Sequence, residues 1–161
     1  MARGLCLWID RLCDGAGILS AVYIAALALL SLAEIVSRNL FSLSIPFAVE
    51  YAGYLVMLSL TTGLGWAMKE GAHIRVSLVR NHLPQSLGKP IDVAVAVLGL
   101  LVSGFFAFAV LRFGLTTLDR GTVSYFPSQT PLAIPQLLLS IGPITLALAC
   151  LAQLIRLHDG R

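Results

Sequence analysis

Four long uncharged stretches set the rhythm of this chain: 15–33, 51–68, 93–111 and 121–155 contain no Asp, Glu, Lys or Arg. An apolar helix needs roughly 20 residues to cross about 30 Å of hydrocarbon, so each stretch predicts one membrane crossing. The last stretch is too short for two, because its opening (GTVSYFPSQTP, 121–131) is rich in Gly, Pro, Ser and Thr and reads as a loop. The expected architecture is an all-α integral membrane protein forming one domain over 1–161. Its four transmembrane helices are placed near 15–36, 48–68, 91–113 and 132–155.

Between the second and third stretches, WAMKEGAHIRVSLVRNHLP (66–84) concentrates charge. HIRVSL alternates polar and apolar positions, a strand signal, yet a lone strand at the lipid border leaves its backbone amides without partners. Wound as a helix, His73, Ser77, Arg80 and Asn81 share one face and Val76, Val79 and Leu83 another. A short amphipathic helix over about 71–83, ended by Pro84, is therefore expected in the interface, with Lys69, Arg75 and Arg80 reaching lipid headgroups. A solvated connector is the alternative.

Composition agrees with the pattern: 58% hydrophobic, 12% charged, mean hydropathy +0.89, against about a quarter charged residues in ordinary soluble domains. The first apolar run is longer than a signal-peptide core and begins only after Asp14, so an uncleaved span is expected. With four crossings, Arg3, Arg11, Lys69, Arg75, Arg80, Lys89, Arg156 and Arg161 share one side, and Arg38, Arg112 and Arg120 the other. That split, eight of the 11 cations against three, predicts cytoplasmic termini by the positive-inside rule. The same rule accounts for the net charge of +3, so no nucleic-acid partner is needed to explain it.

The spans offer little chemistry. Their central thirds hold no ionisable group, and the polar residues picked out there, Thr61, Thr62 and Ser103, are typical helix-packing donors. Axial histidines for haem, a phosphate-binding glycine loop and a zinc-spaced Cys/His set are all missing from the sequence. The expectation is no catalytic residue, no metal and no cofactor. Cys6, Cys13 and Cys150 form no CxxC pair; Cys6 and Cys13 can share a helix face, but are expected at the surface. Glu34 and Arg38 have the spacing of a helical ion pair, and Glu50 begins the second span, where an acid suits the helix dipole. Two readings stand for Glu34, Arg38 and Glu50: a local ion pair plus a terminal acid wet by headgroup water, or contacts with another membrane subunit. Gly99 with Ser103, Gly63 with Gly65, and Ala48 with Ala52 permit close helix approach, and Gly142-Pro143 predicts a kink in the fourth span. Trp66, Tyr125 and Phe126 read as interfacial aromatics.

Several of these residues carry a family resemblance. EIVSRNLF (34–41), Glu50, TTGLGWAMKEGAHIRV (61–76), Leu83-Pro84 and SQTPLAIPQLLLSIGP (128–143) together resemble the DctQ-type small membrane subunit of tripartite ATP-independent periplasmic (TRAP) transporters. The chain differs where such subunits often carry two adjacent acids, having Glu50 followed by Tyr51, and where they are commonly apolar, having Glu34. The resemblance implies an accessory subunit of a sodium-coupled symporter for organic acids in the bacterial inner membrane. It implies two partners, a large multi-span membrane subunit that does the moving and a periplasmic solute-binding protein, besides membrane lipids. The competing readings are a self-sufficient homo-oligomeric transporter, in which only Glu34 or Glu50 could couple an ion, and a redox-complex membrane anchor.

Overall fold

The computed structural model describes residues 2–71 and 85–158, with side chains over 3–71 and 90–158. The chain is all-α: α1 (Ala2–Phe41), α2 (Ala48–Thr62), α3 (Leu64–Lys69), α4 (Gln85–Asp119), α5 (Ala133–Leu139) and α6 (Ile141–His158). Among the described residues there is no strand, and the one β-bridge pairs Val123 with Pro131. Among the described residues three helical stretches, Arg3–Phe41, Pro90–Asp119 and Ala133–His158, are long and apolar enough to cross a membrane. The expected second span is instead two shorter helices, α2 and α3, meeting at Gly63. The expected interfacial helix, with Arg75 and Arg80, lies outside the described residues.

The break at Gly63 has a physical cause in a neighbouring helix. Ser20 of α1 donates to the carbonyl of Ser59 at 2.6 Å, the acceptor that Gly63's amide would take in an unbroken helix. The Gly63 amide turns to the Thr61 carbonyl instead. Thr61 and Thr62 hydroxyls also bond back to Leu58, which bends helices. A second break, at Ser140, falls one turn before Pro143, whose ring nitrogen cannot donate to Leu139. Ser140 answers with its amide and hydroxyl both on the Leu137 carbonyl.

Helix α6 is the hub, packed on α4, α3, α1 and α2. Small residues set the spacing. A Cβ on Gly142 would stand 2.2 Å from the Thr61 carbonyl oxygen, one on Gly65 2.7 Å from Thr145 Cβ, and one on Gly99 3.1 Å from Cys150 Sγ. Helix α1 begins well before the apolar run. Its first third carries a buried stripe, Cys6, Ile9, Cys13 and Ala16, at the spacing that keeps residues on one helix face. Cys6, Ile9 and Cys13 join Ala149 and Ala152 of α6 in the core. Cys6 and Cys13 are therefore interior rather than surface residues, because the helix continues past Asp14 and lays them on α6. All three cysteines are free thiols.

Polar contacts mark the two ends of the bundle. At one end, Arg156 of α6 grips both oxygens of Asp10 at 2.7 and 2.6 Å, and Lys69 of α3 pairs with Asp14; this is the ion-pair end. The α1–α2 connector, the start of α2 and the 120–132 loop form the opposite, loop end. Half-exposed pairs couple weakly, so a double-mutant cycle with Asp10→Asn and Arg156→Gln is expected to give a coupling of about 0.5–1 kcal/mol in detergent unfolding. A value of zero would show the pair to be incidental to helix docking.

Candidate functional site

The loop end holds three of the residues singled out in the sequence. Glu34, four residues before Arg38 on α1, receives the Arg38 guanidinium at 2.8 Å. Its carboxylate also accepts from the Ser44 hydroxyl at 2.8 Å and the Ile45 amide at 2.7 Å. The chain needs this help because it reverses sharply after α1: Ser42 adopts φ 54°, a conformation that non-glycine residues seldom take. Ser37 adds a strap, its hydroxyl donating to the Leu43 carbonyl. Glu34 thus fixes the connector, while Arg38 keeps 65% of its side chain in the open.

Glu50 sits in the first turn of α2 and is only 4% exposed. A buried carboxylate is costly unless donors surround it. Here Tyr54, one turn on, donates its hydroxyl at 2.7 Å, and Ser128 donates from the 120–132 loop. Thr130 reaches both Ser128 and the Tyr51 hydroxyl. The loop is itself ordered, with the Ser124 amide on the Thr130 carbonyl at 2.9 Å and the Leu132 amide on the Thr122 carbonyl at 3.1 Å. Its tip presents Tyr125, 92% exposed and stacked on Phe126.

At the ion-pair end the sequence reading is modified. Lys69, expected to reach headgroups, is held by Asp14 and lies 3.6 Å from Glu70. Trp66 leans on α1, where a Cβ at Gly17 would meet it at 2.8 Å, so it packs as well as facing outward. The pairing of Asp10 with Arg156 and of Asp14 with Lys69 was not foreseen; the spacing of the two aspartates, four apart on α1, is the signal that marks them. Among the described residues no three His, Cys, Asp or Glu side chains are grouped to hold a metal ion.

The arrangement is therefore a packed helical bundle whose carboxylates serve internal donors, with an exposed arginine and an aromatic loop tip at one end. Comparison with known proteins accounts for such a design. The family described as "Tripartite ATP-independent periplasmic transporters, DctQ component" matches residues 27–160. This chain belongs to that family. That family is one of transporters, and this chain is one of its DctQ-component membrane proteins. One similar protein is the "Ectoine TRAP transporter small permease protein TeaB" of Halomonas elongata, 24% identical over 106 residues. That alignment covers 66% of this chain and 55% of the relative, so the chain spans about half the length of the curated relative it matches. No solved structure matches the chain.

Proposed function

We propose that this DctQ subunit braces the large transport subunit of a sodium-coupled TRAP system for organic acids and helps seat the periplasmic binding protein. The supporting observation is the fate of its carboxylates. Glu34 and Glu50, the two acids a self-sufficient transporter would need, are occupied by the Ile45 and Ser44 donors and by Tyr54 and Ser128. A coupling group must be free to bind and release its ion. In this reading both termini and the 72–84 connector are cytoplasmic, and four crossings, the second built from α2 and α3, span the membrane. Arg75 and Arg80 meet anionic headgroups there.

The loop end is then periplasmic. Arg38 is the direct docking contact, and Glu34 and Glu50 act by holding the connector and the 120–132 loop that present it and Tyr125. Tagged chain isolated from its native membrane should retain a much larger multi-span protein, and cells lacking it should lose uptake of an organic acid in a sodium gradient. Solute accumulation by the lone chain in vesicles would overturn the proposal.

A further inference from the structure

Arg112 follows the third uncharged run in the sequence and so looks like a border residue. Packing places it deeper. Gly114 lies against Leu137, and Gly99 against Cys150, so α4 runs antiparallel to α5–α6 with Arg112 level with about Leu139. Gly142 against Thr61 carries that level to about Leu58 on α2. Glu50 lies eight positions from Leu58 in one direction and Lys69 eleven in the other. At 1.5 Å per residue, Arg112 is roughly 12 Å inside the Glu50 level and roughly 16 Å from the Lys69 level. The slab between them, roughly 28 Å, matches a bilayer's hydrocarbon.

This arginine is exposed, and among the described residues no ion pair joins it. It ends a stripe on the uncovered face of α4, with Leu101, Phe105 and Phe108, which are 65%, 72% and 59% exposed. The opposite face holds the buried Ala96, Ser103 and Thr117. A cation at such depth is costly unless it escapes to the border or meets an anion. Escape is disfavoured, because helical side chains leave tilted toward the helix N-terminus, and for α4 that direction leads away from the nearer border. A second copy cannot supply the anion: the uncharged runs leave this chain no Asp or Glu at that depth.

We infer that the Leu101–Phe105–Phe108–Arg112 stripe of α4 is the seat of a transmembrane helix of the large transport subunit, and that this helix carries an Asp or Glu within the hydrocarbon to pair with Arg112. Phenylalanine and arginine are both enriched in protein interfaces, and a guanidinium can take a carboxylate through two parallel hydrogen bonds. The inference rests on the bracing role proposed above.

Its test uses the whole transporter. With a photo-reactive benzoylphenylalanine at Phe108 and Arg112 intact, irradiation of membranes should join the chain to the large subunit; adducts to lipid only would overturn the inference. In parallel, Arg112→Glu should lower the large subunit retained by tagged chain at least about tenfold at equal membrane yield, whereas Arg112→Lys should retain most of it. Wild-type chain that retains no large subunit would overturn the bracing role and this inference together. Retention unchanged in Arg112→Glu would overturn the pairing alone.

Discussion

Gly142→Val is expected to be the most damaging single substitution within the bundle, lowering the unfolding temperature in detergent by several degrees and reducing membrane yield. A Cβ at this position would stand 2.2 Å from the Thr61 carbonyl oxygen and 2.5 Å from its carbon. Both atoms are backbone, so no rotamer change relieves the overlap and α6 must move off α2. Overpacking of this kind costs about 1–3 kcal/mol, occasionally more. Alanine should already show part of the effect. Gly53 and Gly104 provide the contrast, since a Cβ on either meets nothing within 4 Å. Alanine there should raise stability, because glycine inside a helix costs about 0.5–1 kcal/mol relative to alanine. A Gly142→Val chain that melts with the wild type would show that the α2–α6 contact is not a fixed seam.

The same seam shows where sequence reading reaches its limit. The small residues flag close approach, yet spacing alone cannot say which helix approaches which: Gly142 finds Thr61, Gly65 finds Thr145 and Gly17 finds Trp66. Helix identity was legible because an uncharged run long enough to cross a bilayer permits few other structures. The split at Gly63 was not, because its cause is the Ser20 hydroxyl, 39 positions from the Ser59 carbonyl it occupies. The Glu34–Arg38 pair follows from helical spacing, but the Ile45 amide that makes Glu34 a connector clamp arrives only once the chain has turned at Ser42. Arg156 and Asp10 are separated by 146 positions, and only the antiparallel assembly of the first and last helices joins them. Arg112 is the sharpest case. Its place at the edge of an uncharged run marks it as a border residue, whereas the register of α4 on α6 sets it level with about Leu139, the basis of the depth inferred above.

Glu50→Leu should release the 120–132 loop from α2 while leaving the helices assembled. The carboxylate is the acceptor for Tyr54 and Ser128, and an apolar side chain of similar size removes the acceptor that ties the exposed Ser128 to the half-buried Tyr54 and the start of α2. The loss is local, so amide exchange reports it better than overall melting does. The Ser124 and Leu132 amides, bonded to the Thr130 and Thr122 carbonyls, should exchange about tenfold faster or more, and α6 amides should be unchanged. Glu50→Gln keeps an acceptor oxygen and should exchange close to wild type. Because the loop presents Tyr125 at the proposed periplasmic end, Glu50→Leu should also raise the concentration of binding protein needed for half-maximal uptake without altering the amount of transporter in the membrane. If the loop amides stay protected in Glu50→Leu, the internal bonds of the loop hold it without Glu50. The acid would then be left to the helix dipole at the start of α2.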